Sequence, residues 1–205
     1  MNIIETQNLT KVYPGKNALD NVNLAIGRGR IVGLLGPNGS GKTTLIKLLC
    51  GLLQPTSGSL KIDGRAPGVY TKSIVSYLPD RMYFADWMTA ADMFNLFNDF
   101  YRDFDMDRVM HMSAALGVEP GMKLKSMSKG TKEKVQLMLV MCRKAQLYLL
   151  DEPIAGVDPA ARDFILNTIL TNYNPQGTVV ISTHLITDIE RILDEVVFLQ
   201  NGRLV

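Results

Sequence analysis

Cysteine is scarce, and its scarcity excludes two architectures. Cys50 and Cys142 are the only two in 205 residues. Their separation matches no metal-ligand spacing, and both lie in apolar, helix-patterned surroundings. They read as reduced core residues of a cytosolic chain, not as a disulfide framework or a zinc site. Long apolar runs are missing too. The longest, residues 137–142, has six members, far short of a bilayer-spanning helix. The first five residues lack a basic segment followed by an apolar one, so no secretory signal is expected. Nor does one sign of charge dominate. The net charge of +2 comes from well-mixed signs, which leaves no basic stripe for nucleic acid; the densest cationic stretch is 123–134. There is no internal repeat and no low-complexity segment. What remains is an ordinary apolar fraction at a length that makes one domain with a proper core and room for an inserted subdomain.

The stretch around which the chain is organised is 31–49. A short apolar run reads as a buried strand, a glycine-rich loop follows, and an amphipathic run opens at once as a helix. The loop Gly36, Pro37, Asn38, Gly39, Ser40, Gly41, Lys42, Thr43, Thr44 fits G-x-x-x-x-G-K-[ST] in the strand-to-helix context that a phosphate loop requires. Glycine is needed because the backbone must turn its N–H groups inward around a polyphosphate, in conformations that a Cβ obstructs. Lys42 supplies a cation for the β- and γ-phosphates, the Thr43 hydroxyl is a ligand for Mg²⁺, and the helix start points its positive dipole end at the anion. The pattern predicts a nucleoside triphosphate site.

Before this loop, residues 3–9 and 18–26 alternate apolar and polar, with turns at 14–15 and 27–29, and predict antiparallel strands. After it, 54–58 breaks the chain, and 59–63 and 73–78 predict short strands, the second halted at Pro79 and Asp80. From 81 to about 125 Phe, Met, Trp and Asp cluster, and helices are predicted over 89–101 and 105–116, with Gly117 as a stop. This reads as a helical insertion in an alternating α/β chain. Ser128 is an N-cap for a helix over 129–143. Residues 147–150 predict a buried strand, Asp158 and Pro159 open a helix to about 172, 178–182 is a strand, 186–193 a helix and 196–199 the final strand. Asn201 and Gly202 signal a hairpin just before the sequence stops, so the native chain is expected to extend past Val205.

Two further features carry chemistry. The strand 147–150 runs into Asp151 and Glu152, which puts Asp151 at the carboxyl edge of a parallel sheet beside the phosphate loop, where it can hold Mg²⁺ through water. Glu152, one residue on, can reach a water aligned on the γ-phosphate and act as general base. His184 follows strand 178–182 at the same edge and can hydrogen-bond a γ-phosphate oxygen and the attacking water. His111 lies inside a helical pattern and is assigned no role.

The phosphate loop, the acidic strand end, the run Gly156-Val157-Asp158-Pro159 and His184 after a strand together resemble the ATP-binding cassette (ABC) family, over essentially the whole chain. That family has a signature usually read as LSGGQ upstream of the acidic strand; here the matching residues are Met127, Ser128, Lys129, Gly130 and Thr131. Serine and the second glycine match, lysine replaces the first glycine, and threonine the glutamine. The resemblance implies that Ser128, Lys129, Gly130 and Thr131 grip the γ-phosphate of ATP held by a second copy. It also implies that Tyr13 stacks on adenine and that Asp158 links the two ATP sites. Asp80 stands where the family has a glutamine that touches Mg²⁺ and water, and is expected to keep a metal-linked coupling role. The insertion occupies the family's place for docking on a membrane partner. Met82, Tyr83, Phe84 and Trp87 either line that groove or form the insertion's own small core.

The fold implied is α/β: a P-loop NTPase (RecA-like) core with an N-terminal antiparallel β subdomain and an inserted α-helical subdomain. Residues 1–205 form one nucleotide-binding domain, with 1–80 and 136–205 as core and 81–135 as insertion. Glu152 and His184 are the expected catalytic residues, Thr43, Asp80 and Asp151 the metal-linked ones, and ATP with Mg²⁺ the cofactors. The function implied is that of the ATP-hydrolysing subunit of a transporter resembling simple bacterial exporters. It would pair head to tail as a homodimer or heterodimer, and sit on the inner face of the cell membrane through separate permease subunits. No nucleic-acid partner is expected. A soluble cassette ATPase acting on ribosomes or DNA is the alternative, but those usually carry two cassettes or long coiled-coil insertions. A small-molecule kinase would leave the Asp151–Glu152 pair and His184 unexplained.

Overall fold

The two kinds of strand in the sequence become two sheets in the structure, a computed structural model that describes residues 2–157 and 159–205. The alternating segments form β1 (Asn2–Tyr13) and β2 (Lys16–Gly27), a hairpin joined on its other side by β4 (Ser57–Ile62) in the antiparallel order β2-β1-β4. Ile4 pairs with Ile26 on one flank and Ile62 on the other, so the apolar face of all three strands points one way. The runs without alternation are buried on both faces, as parallel strands are. They are β3 (Ile31–Leu35), β6 (Leu147–Asp151) and β7 (Thr178–Thr183), every residue of which is buried. With β5 (Val75–Leu78), β8 (Glu195–Gln200) and the short β9 (Arg203–Leu204) they make a six-stranded sheet in the order β5-β6-β7-β3-β8-β9. Only β9 runs antiparallel within it.

Three cores result. Helix α1 (Lys42–Leu49) and the antiparallel sheet bury one face of the parallel sheet through Ile4, Leu19, Ile46, Leu60 and Leu149. On the opposite face α5 (Lys129–Met141), α6 (Pro159–Asn172) and the one-turn α7 (Ile186–Ile189) contribute Leu137, Val140, Ile165, Ile169 and Ile189. The third core belongs to α3 (Ala90–Phe100), α4 (Met106–Ala115) and the other side of α5, with Phe94, Phe97, Val109, Met138 and Cys142. Helix α5 is thus shared: its Leu137 and Val140 side packs on the sheet, its Met138 side on the helical insertion. Thr89 and Asp105 cap α3 and α4 through their side chains.

Arg143 ties the insertion to the sheet. It is 1% exposed, its guanidinium forks onto Asp103 at 3.0 and 3.1 Å, and it donates to the carbonyls of Ser73 (2.6 Å) and Val75 while lying over the Tyr101 ring. Burial pushes the thiols of Cys50 and Cys142 above their ordinary range, and both are free. Among the described residues no helix is long and apolar enough to cross a membrane.

The structure corrects three element assignments. Ser73 and Ile74 belong not to a strand but to a helix, α2 (Val69–Ile74), because Gly68 N–H and Thr71 Oγ1 bond at 2.8 Å and open a turn there. The segment over 186–193 is not one helix; α7 ends at Ile189 and a 3₁₀ turn covers Glu190–Ile192. Helix α5 stops at Met141, two residues early, since Arg143 is drawn into its ion pair.

Candidate functional site

Strand order decides where the chemistry gathers. β7 lies between β6 and β3, and all three are parallel, so their carboxyl ends deliver Asp151, Thr183–His184 and the phosphate loop to one edge. The loop is held in shapes that exclude side chains. A Cβ on Gly36 would stand 2.1 Å from the Leu199 carbonyl oxygen at φ +150°, and one on Gly41 2.3 Å from that of Ala18 at φ +112°. Gly41 caps α1 without a side-chain acceptor, which leaves the first N–H groups of the helix for an anion.

Lys42 is buried; its Nζ donates to Gly36 O at 2.8 Å and Pro37 O at 3.3 Å, and stands 3.3 Å from Glu152 Oε1. Thr43 Oγ1 donates to Asp151 Oδ1 at 3.1 Å, and Ser182 Oγ donates to the same oxygen at 2.6 Å. Ser182 Oγ also accepts the Glu152 N–H at 3.1 Å. Glu152 itself adopts φ +51°, a left-handed conformation uncommon for a residue with a Cβ and frequent at working sites. That turn sends its carboxylate back over the loop: Oε2 is 3.0 Å from His184 Nδ1 while Oε1 faces Lys42.

Asp151 is 1% exposed, and its second oxygen, Oδ2, has no hydrogen-bond partner among the described residues. Burial holds its carboxyl above the usual carboxylate range; hydrogen bonds from Ser182 and Thr43 pull it back, while the charges of Asp80 and Glu152 add to the rise. A divalent cation would reverse that balance. No group of three His, Cys, Asp or Glu able to hold a metal occurs among the described residues. The set here is a carboxylate and a hydroxyl, both hard oxygen donors, with one orphaned acceptor. It fits Mg²⁺, which keeps waters and substrate oxygens in its sphere instead of demanding a protein cage.

A cleft of about 330 Å³ opens over the loop, lined by Asn38, Gly39, Gly41, Lys42, Thr43, Thr44 and Glu152. Tyr13, at the end of β1, and Asp80 also border it. Asp80 is half exposed and lies 3.8 Å from Arg81 Nε. Pro37 O also accepts from Ser40 N at 3.2 Å, closing the loop's turn, and Ser40 Oγ is buried without a partner among the described residues. The residues Ser128, Lys129, Gly130 and Thr131 do not line this cleft. Ser128 caps α5, accepting the Thr131 N–H at 3.1 Å, and Lys129 Nζ reaches across to Gly156 O at 3.3 Å. Asp158 lies outside the described residues. Of the four residues left between groove and core, Met82 and Phe84 pack on the insertion's core. Tyr83 lines a separate groove of about 490 Å³ between insertion and sheet, and Trp87 is 71% exposed.

Two members of the site escaped the sequence reading. Ser182 was legible only as the last residue of a strand; its role comes from standing opposite Asp151 in register. Lys16, just past the first turn, borders the cleft and donates to Gly39 O at 3.3 Å; nothing local to it marks it out.

Residues 19–155 match the family described as ABC transporter. Over its whole length the chain is 32% identical to the SkfA peptide export ATP-binding protein SkfE of Bacillus subtilis, spanning 88% of that protein. It is 31% identical to the ABC transporter ATP-binding protein YtrB of the same organism, over 98% of this chain and 70% of the relative. A solved ATP-binding subunit of an ABC transporter superposes with a TM-score of 0.86 at 28% identity, covering 98% of this chain and 88% of that one.

Proposed function

The chain belongs to the ABC transporter family, and we propose on that premise that it is the ATP-binding, ATP-hydrolysing subunit of a transporter working through separate membrane subunits. The observation that carries this reading is the convergence of Lys42, Thr43, Asp151, Glu152 and His184 on one sheet edge. The loop N–H groups and the α1 dipole bind the phosphates. Lys42, now resting on Gly36 O and Glu152, is within its own side chain's reach of them. Glu152 takes the proton of the attacking water, and His184 holds the Glu152 carboxylate in place at Nδ1. Tyr13 supplies a face for the base, and Ser40 a loop hydroxyl with no partner among the described residues. Thr43, Asp151 and Asp80 would hold Mg²⁺, which would supply charge neutralisation on the phosphates. We read 81–135 as the inserted subdomain and 1–80 with 136–205 as the core.

The second half of each site comes from another copy. Ser128 to Thr131 stand away from their own cleft at a capped helix start, which supports a role toward ATP held by a partner, as does the family's pairing. The loop with Asp158 would link the two sites. Closure then follows from ATP's higher affinity for the paired state, and hydrolysis releases it.

The groove near Asp80 is the docking place we assign to a membrane subunit, which would hold the chain at the membrane's inner face. Leu52, Val75, Tyr83 and Phe97 give it apolar walls, while Lys47, Lys72 and Arg81 outweigh Asp80 around it. An apolar segment carrying an acidic residue suits that lining. The relative named for peptide export supports export over import.

Glu152→Gln tests the core of this reading. It should keep ATP binding, lose about 10²–10⁴ in turnover as a general base does, and accumulate as an ATP-dependent dimer in size-exclusion chromatography. Near wild-type turnover in that variant would remove Glu152 as the base.

A further inference from the structure

Helix α5 places one polar side chain where its neighbours are apolar. Gln136 is 7% exposed, between Val135 and Leu137, both buried. Its Nε2 donates to Pro79 O at 3.2 Å and reaches Arg81 O at 3.5 Å. A single amide thus touches the carbonyls on both sides of Asp80. The backbone there is irregular: β5 ends at Leu78 and no helix begins until Ala90. Asp80 borders the nucleotide cleft, the apolar groove and a small cavity of about 50 Å³ that also meets Gln136, Asp151 and Glu152. At the N-terminal end of α5, Lys129 bonds to Gly156 O in the loop after Glu152. One helix therefore braces both loops that flank the reacting groups.

We propose that Gln136 is a positioning residue for ATP hydrolysis. By holding the carbonyls that bracket Asp80, it fixes where that carboxylate stands at the mouth of the nucleotide cleft, and ties it to the Ser128 end of α5. This rests on the reading of Asp80 as a metal-linked group. An amide is required because both acceptors are carbonyl oxygens. A carboxylate of equal size would face them without a proton to donate and add charge beside Asp80, Asp151 and Glu152.

The experiment is a double-mutant cycle on Mg²⁺-dependent ATPase turnover, with Gln136→Met and Asp80→Ala singly and together. Gln136→Met should lower kcat about 5- to 10-fold, the worth of one hydrogen bond in a transition state. It should raise the Mg²⁺ concentration for half-maximal rate and leave the KM for ATP within about twofold, since the loop is untouched. In the Asp80→Ala background the same substitution should cost less than about twofold, because its target is gone. Gln136→Glu keeps the size, loses the donor and adds charge, so its kcat should fall at least as far as that of the Met variant, and it stands in if the Met variant melts early. A Gln136 effect equally large with and without Asp80, or an unchanged kcat in both Gln136 variants, overturns the proposal. An Asp80→Ala protein with wild-type turnover and Mg²⁺ dependence overturns the reading of Asp80 and this inference with it. The ATPase reading itself fails only if the unmutated chain does not hydrolyse ATP.

Discussion

Removing the Ser182 hydroxyl is the sharpest test of how the site is built. Ser182 is fully buried; it donates to Asp151 Oδ1 at 2.6 Å and accepts the Glu152 N–H at 3.1 Å. In Ser182→Ala the Glu152 N–H keeps the Ser182 carbonyl, 3.0 Å away, so that donor is not orphaned and its loss is small. The carboxylate bond is the larger one. A hydrogen bond to a charged group contributes about 1.5–3 kcal/mol, and among the described residues the Asp151 carboxylate keeps only Thr43 once it is gone. A loss of about 2 kcal/mol corresponds to a fall of about 4–8 °C in Tm for a chain of this size. The assay is a thermal melt of the nucleotide-free protein at pH 7.5, with Ser182→Thr as the variant that restores the hydroxyl. ATPase turnover should fall with it, since Asp151 and the strained Glu152 backbone share this one side chain. If Ser182→Ala melts within about 1 °C of wild type, the hydroxyl does not hold Asp151 and the reasoning is wrong.

Three further outcomes follow from the same geometry. The folded-state pKa of Asp151 stands above its reference value of 3.8, so the metal-free fold binds the extra proton and loses stability as pH rises from the unfolded to the folded pKa. Asp151→Asn should therefore raise the metal-free Tm at pH 8, with a gain that fades toward pH 4, while abolishing Mg²⁺-dependent stabilisation by ATP; calorimetry at both pH values checks the sign. Gly36→Ala forces a Cβ to within 2.1 Å of Leu199 O, so the loop must shift, and nucleotide affinity measured by fluorescence titration should fall at least about tenfold (about 1.4 kcal/mol). Arg143→Met leaves Asp103, 26% exposed, without its fork. Breaking such a pair costs about 3–5 kcal/mol when buried; partial rehydration of Asp103 puts the chemical-denaturation result at the lower end.

The sequence by itself determined whatever is local. Strand, glycine loop and helix from Ile31 to Leu49 occupy consecutive residues, so periodicity and one motif were enough to foresee β3, the loop and α1. The Ser128 cap was equally local, bonding three residues on, and the helices expected from 89 and 105 carry caps of the same kind in the structure. The Asp151–Glu152 pair was legible because an apolar strand had to end there. Tertiary structure alone decided the rest, because the partners lie far along the chain and meet only when sheet order brings them together. Ser182 reaches Asp151 because β7 and β6 pair in register, and Gln136 reaches the Asp80 loop across 57 positions of sequence. Arg143 holds Asp103 across 40, and the same side chain bonds the Ser73 carbonyl where a strand was expected and a helix ends. Local pattern names the groups that can do chemistry; the long-range hydrogen bonds of the folded chain determine which of them touch.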